Sequence, residues 1–239
     1  MCANGKNSRV ADSVKTTLKL AVLISGSGRT LKNFIELVAE DQLPVDIRLV
    51  ISSSSKAAGL KYADEAGIAT RIIRRCDFPA DQSGDLPYGD AVFEACREAG
   101  VDYVAMAGFL KLAPVPPDFA GRVVNIHPAL IPSFCGHGMY GHHVHQAVID
   151  SGVKVTGCTV HFVDNQYDCG PIIWQQPVPV FDDDTADTLA KRVFEAEKEA
   201  YPHVLRMLAA GRVQLDGRRV TLRKAQRGEG SRSSAYPMD

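Results

Sequence analysis

Leu18-Lys19-Leu20-Ala21-Val22-Leu23-Ile24-Ser25-Gly26-Ser27-Gly28-Arg29-Thr30 is the stretch on which the fold turns. Its first half is a near-continuous apolar run closed by a Gly/Ser turn, the pattern of a central strand buried on both faces. Residues 31–39 then carry helical spacing, with Leu31, Phe34, Ile35 and Val38 on one side. Strand, tight turn and helix open a β-α-β unit, and the sequence that follows repeats the theme.

Residues 47–51 form a second apolar run, followed by the serine turn at 52–55, a helix over 57–66 capped by Gly67, and a short strand over 70–73. A loop is predicted for residues 76–87, a helix for 88–99 ending at Gly100, and strands for 101–106 and 123–126 on either side of the proline-rich segment 114–117. Alternating strands and helices imply parallel pairing with right-handed crossovers. The expected fold class is therefore α/β: a single Rossmann-like, open, doubly wound, mostly parallel sheet with helices on both faces. Ligands on such sheets bind beyond the carboxyl ends of the strands, where the strand order reverses. Two later strands, 155–163 and 172–180, follow without an intervening helix and make the sheet mixed. A long helix over 185–210 starts after Asp182-Asp183-Asp184 and closes at Gly211, and Asp216-Gly217 marks a terminal hairpin. One domain, 18–222, is expected between a flexible polar leader, 1–17, and a disordered polar tail, 223–239.

The chain has 239 residues, 45% hydrophobic and 23% charged, with a formal net charge of -1. Such a balance provides no electrostatic reason for a nucleic-acid or membrane partner, although a small anionic substrate needs only a local site. Cys2, Cys76, Cys96, Cys135, Cys158 and Cys169 form no Cys-x-x-Cys pair and read as reduced thiols. The leader lacks the apolar segment of a secretory signal, and no run approaches the roughly 20 apolar residues of a membrane helix. A cytoplasmic protein is the expectation.

Four segments could carry chemistry. Ser25 to Thr30 sits between strand and helix, where Gly28 permits a sharp turn, free N–H groups favour a phosphate, and Arg29 and Thr30 add a charge and a hydroxyl. The pattern lacks the third glycine of a dinucleotide fingerprint and is not a Walker loop; a plain structural turn explains it equally well. In Asn125-Ile126-His127-Pro128, residues i and i+2 of a strand end point the same way. Asn125 and His127 would then project together, an amide donor beside an imidazole, while Ile126 faces the core. A hydrogen-bonded histidine at a strand end is the plainer alternative. Asp168 lies in the loop Asp164 to Gly170, where it could orient an imidazole or simply bond to backbone. His142, His143 and His145, with Cys135 nearby, match neither a His-Glu-x-x-His helix nor a Cys/His finger, so a Gly/His-rich active-site loop without metal is preferred.

Together these segments resemble the folate-dependent formyltransferase family that acts on glycinamide ribonucleotide. The resemblance runs from Leu18 to Val220. It is carried by Ile24-Ser25-Gly26-Ser27-Gly28, residues 107–112 (AGFLKL), residues 125–132 (NIHPALIP), residues 157–163 (GCTVHFV) and residues 168–173 (DCGPII), in the family's order. It implies transfer of the formyl group of 10-formyltetrahydrofolate, a cosubstrate, to the amine of 5-phosphoribosylglycinamide, in purine biosynthesis, with no metal. Asn125, His127 and Asp168 would be catalytic. Gly28, Arg29, Thr30 and Glu197 would hold the phosphate and ribonucleotide. Leu110, Lys111, Leu112 and Ala113, with Asn125, would bind the folate. Both partners are small molecules, and the chain would be a monomer or homodimer. The family's corresponding Ile131-Pro132 bond is cis.

This sequence departs from the family pattern at Arg29-Thr30, where Ser or Asn followed by Asn is common. It also lacks a basic folate contact near Asp85, and its loop 134–145 is longer. Formyltetrahydrofolate deformylase, a hydrolase, shares the Asn-x-His and Asp set but typically has His at the position of Pro128 and an N-terminal regulatory domain. Methionyl-tRNA formyltransferase would require a further C-terminal domain and a basic surface. A catalytically silent folate-binding protein is the alternative from another class.

Overall fold

The computed structural model describes residues 17–78 and 86–224. β1 (Leu18–Ile24) sends alternate side chains into two cores. Leu20, Val22 and Ile24 join Phe34, Leu189 and Tyr201, while Ala21 and Leu23 join Val92, Phe93 and Phe119. Both faces are covered, which is why the run has no polar alternation. α1 (Arg29–Ala39), β2 (Val45–Ser52), α2 (Gly59–Glu65) and β3 (Thr70–Ile72) complete the first half. α3 (Leu86–Glu98), β4 (Tyr103–Met106), β5 (Val123–His127), α4 (His142–Ser151), β6 (Val155–Phe162), β7 (Ile172–Pro179) and α5 (Ala186–Ala209) follow, and then the hairpin β8 (Val213–Asp216) and β9 (Arg219–Leu222).

The main sheet has the order β3-β2-β1-β4-β5-β6-β7. β1 to β5 pair in parallel, and β6 and β7 add in antiparallel fashion. Strand order reverses between β1 and β4, so the loops leaving those two strands diverge and open a crevice. α1, α2, α4 and α5 pack on one face and α3 on the other. The fold is thus the α/β, mostly parallel, doubly wound sheet that the alternation implied.

α5 is the main brace. Thr185 caps it, accepting from Thr188 N–H at 3.2 Å while Thr188 Oγ1 accepts from Thr185 N–H at 2.9 Å. Buried Tyr201 packs edge-on against Phe34 with centroids 5.1 Å apart, and its hydroxyl donates to Val124 O at 2.8 Å and Met106 O at 3.2 Å. That contact ties α5 to the two strands that end at the site.

Some boundaries differ from expectation. α3 begins at Leu86 rather than Tyr88, because Pro87 in a first turn lacks only an N–H that would be unpaired anyway. Arg75–Asp77, at the entrance to the expected loop, form a 3-10 turn, and residues 79–85 of that loop lie outside the described residues. β4 starts at Tyr103 because Val101 N–H closes the end of α3 on Cys96 O at 3.4 Å. Residues 1–16 of the expected leader and 225–239 of the expected tail are also outside the described residues. Among the described residues, no helix is long and apolar enough to cross a membrane.

Candidate active site

β5 delivers Asn125 and His127 to one side of the sheet. Val124 and Ile126 enter the α5-side core and Val123 the α3-side core, so 123, 125 and 127 share a face. Antiparallel pairing sets His161 of β6 opposite Asn125. The Asn125 amide donates to His161 Nε2 at 3.3 Å, and His161 Nδ1 donates to Phe162 O at 2.7 Å. Burial pushes His161 below its ordinary pKa, consistent with a neutral ring whose bare Nε2 accepts. One Asn125 N–H is therefore spoken for and the other remains for the cavity.

His127 is only 3% exposed. Its Nε2 lies 2.8 Å from Phe134 O; a carbonyl can only accept, so Nε2 carries a proton. Nδ1 stands 3.5 Å from Asp168 Oδ2. That is ion-pair distance, and a proton on Nδ1 would face the carboxylate. Asp168 Oδ2 accepts from Gly136 N–H at 3.0 Å, and Oδ1 lies 3.8 Å from His161 Nε2. Phe134 and Asp168, the two partners of His127, both have positive φ, 51° and 54°. Such backbone strain in non-glycine residues persists where the surroundings over-determine it, often at functional sites. The segment after His127 is pinned by Thr159, whose hydroxyl donates to Ala129 O at 2.7 Å and accepts from Ile131 N–H at 3.0 Å. Ile131-Pro132 is cis, as the resemblance implied.

These groups open into a cavity of about 1020 Å³, and Gly28, Arg29, Thr30, Leu110 to Ala113 and Glu197 line it as well, whereas Cys135 and His143 do not. Gly28, Arg29, Thr30 and Glu197 form its cationic part. Gly28 is in the left-handed region at φ 68° and packs so closely on α2 that a Cβ there would meet Gly59 Cα at 2.4 Å. No side chain caps α1, leaving first-turn N–H groups open. The Arg29 guanidinium lies over the Phe194 ring, 4.1 Å from its centroid.

Glu197 is half-buried by surface, yet the protein crowding its carboxyl pushes its pKa up to about 8, with Arg29 the opposing influence. Its folded pKa exceeds the unfolded value, so the folded state holds a proton that the unfolded state has lost between about pH 4.5 and 8. Stability from this group therefore falls as pH rises through that window. Thermal melts between pH 5 and 8 should show Glu197→Gln gaining on wild type as pH rises; parallel curves would contradict the assignment.

Leu110, Lys111, Leu112 and Ala113 form a wall beyond β4. Leu110 leaves 52% of its surface exposed, an apolar lip on the cavity. Ser25 Oγ accepts from Leu110 N–H at 2.9 Å and bonds Ser53 Oγ at 2.7 Å, joining the loops after β1 and β4. Val115 N–H donates to Asn165 Oδ1 at 2.7 Å, linking this wall to the Asp168 loop.

The histidine-rich segment differs from the loop expected over 134–145, because His142, His143 and His145 lie on α4. His142 Nε2 is 3.4 Å from Asp187 and His143 meets Tyr140 edge-on. Among the described residues, no group of three or more His, Cys, Asp or Glu is arranged to hold a metal. His161, Phe134 O, Gly136 N–H and Phe194 also belong to the site, although the sequence reading assigned them no role. A signal for His161 existed: it is the one ring of ionisable type in the apolar run 155–163.

A family model described as formyl transferase matches residues 18–205. The chain is 38% identical over 212 residues to the trifunctional purine biosynthetic protein adenosine-3 of Gallus gallus, covering 87% of this chain and 20% of that protein. It thus spans about a fifth of the length of that relative. It is 36% identical to the phosphoribosylglycinamide formyltransferase of Haemophilus influenzae, covering 82% of this chain and 90% of the relative. The crystal structure of glycinamide ribonucleotide transformylase 1 from Symbiobacterium toebii superposes with a TM-score of 0.78 at 35% identity, covering 87% of this chain and 95% of that one. A formyltetrahydrofolate deformylase from Pseudomonas syringae superposes with a TM-score of 0.74 at 24% identity over 87% of this chain and 66% of that one, a likeness of fold.

Proposed function

Because the chain belongs to the formyl transferase family, we propose that its cavity transfers the formyl group of 10-formyltetrahydrofolate to the amine of 5-phosphoribosylglycinamide, a step of purine biosynthesis. The observation that carries this reading is that Asn125, His127 and Asp168 line one cavity together with Arg29 and the Leu110 to Ala113 wall. A phosphate fits the cationic part beside the open N–H groups of α1, and a planar ring fits the apolar wall. Resemblance to named phosphoribosylglycinamide formyltransferases favours an amine acceptor over water. The cytoplasmic placement read from the unpaired thiols belongs to the same proposal.

Binding both substrates in one cavity brings the amine to the formyl carbon. As the nitrogen adds, negative charge gathers on the formyl oxygen. The free N–H of Asn125 donates to it, held in direction by His161. Both ring nitrogens of His127 already face protein groups. Nδ1 is the looser of the two, and its proton is the one placed to swing between Asp168 and the oxyanion. Asp168 then keeps the imidazolium in place and, through a water, carries a proton toward the departing folate nitrogen as its bond to the formyl carbon breaks. The attacking amine loses one proton and the folate nitrogen gains one, so the step balances.

Release of tetrahydrofolate is expected only when both substrates are present. Release without the amine would favour a deformylase, and none under either condition a silent binder. Arg29→Met should raise KM for the ribonucleotide by about tenfold or more, on the order of a lost charge-assisted contact, while KM for the folate stays within about twofold. An equal rise in both constants would place the phosphate elsewhere.

A further inference from the structure

His145 differs from the other histidines around it. It is 5% exposed, lines the cavity, and buries Nδ1 without a hydrogen-bond partner. Among the described residues no hydrogen bond engages its ring, whereas His142 has Asp187 and His143 has Tyr140. A neutral imidazole has one donor and one acceptor nitrogen. A proton on the sealed Nδ1 would strand a buried donor, so the favoured tautomer carries it on Nε2, the polar atom left to face the cavity.

Its place in the cavity points to what it meets. Burial pushes the ring down to about 4, and His142, His127 and Arg29 add to the effect, so it lies within electrostatic reach of both the catalytic centre and the cationic part. α4 packs beside α5, which carries Phe194 under Arg29. α4 also begins at this cavity with Gly141 as N-cap and no side chain capping it, as α1 does at Gly28. Two open helix starts, a guanidinium and an unpartnered imidazole thus surround one volume. Donors gathered in this way call for an anion.

We propose that His145 is a phosphate-binding residue, donating from Nε2 to the phosphate monoester of the ribonucleotide across from Arg29. The inference rests on the reading above that places the phosphate at Arg29. Arg29 supplies charge, and His145 adds a directed hydrogen bond.

Steady-state kinetics of His145→Leu and His145→Gln, measured beside Arg29→Met, test it. His145→Leu should raise KM for the ribonucleotide roughly 10- to 50-fold, the scale of one hydrogen bond to a charged group. KM for the folate should stay within about twofold and kcat within about threefold. His145→Gln, which keeps an N–H near the position of Nε2, should recover most of the loss. An unchanged ribonucleotide KM in His145→Leu, a parallel rise in both KM values, or equal losses in the Leu and Gln variants would overturn the proposal. If Arg29→Met raises the ribonucleotide KM and His145→Leu does not, the proposal alone fails; if neither does, the phosphate reading fails with it. The wild-type protein offers a second measurement that needs no variant. The ¹⁵N resonance of His145 Nε2 should shift on adding ribose 5-phosphate and not on adding ribose, and a resonance indifferent to both would overturn the assignment.

Discussion

His127→Ala is expected to lower kcat by about a hundredfold or more, the scale of an acid-base or oxyanion group. The imidazole is held by groups on two separate loops, the Phe134 carbonyl at 2.8 Å and Asp168 at 3.5 Å. Alanine removes the proton carrier and leaves Asp168 with Gly136 N–H as its remaining short-range donor. Asn125→Ala and Asp168→Ala should each lose a comparable factor. The double variant His127→Ala/Asp168→Ala should lose much less than the product of the single losses, because groups acting as a unit are not additive. Single-turnover rates with both substrates saturating check this. Near-wild-type turnover in His127→Ala would falsify the mechanism.

Gly170→Ala should be the most damaging single methyl added to a glycine among the described residues. A Cβ at Gly170 would stand 1.7 Å from Phe162 O and 2.7 Å from its carbon, both backbone atoms that cannot rotate away. The strands there are coupled, since Phe162 N–H donates to Pro171 O at 2.9 Å. Relief therefore requires separating β6 from the loop that carries Asp168. The expected cost is about 3 kcal/mol or more, typical of enforced backbone strain, which for a domain of this size lowers Tm by roughly 6–12 °C. Turnover of the folded fraction should fall too, because Asp168 moves with the loop. A melt within about 1 °C of wild type, with activity retained, would show that the loop relaxes freely.

Much of this architecture could be read from β1 and the turn after it. Six of seven residues buried, on two faces, needed no long-range information, and the alternation of later elements implied the parallel sheet. The shared face of Asn125 and His127 followed from strand periodicity. Asp168 was harder: 41 positions separate it from His127, and the meeting depends on how the loops after β5 and β6 fold back over the sheet edge. Those loops are built on backbone features, positive φ at Phe134 and Asp168 and a carbonyl and an N–H as partners. Residue type does not announce which carbonyl will be used. His161 was hidden for another reason, since its role depends on the antiparallel register that sets it against Asn125. The helical placement of the histidines at 142–145 was obscured by the glycines that precede them, which read as loop until Gly141 is seen as the N-cap of α4.

The destination of the formyl carbon tests the central claim most directly. With 10-formyltetrahydrofolate labelled with ¹³C at the formyl group, and 5-phosphoribosylglycinamide present, carbon NMR should show the label arriving in a formamide on the ribonucleotide, one for each tetrahydrofolate released. Label appearing instead as free formate, at the same rate with or without the amine, would contradict the account.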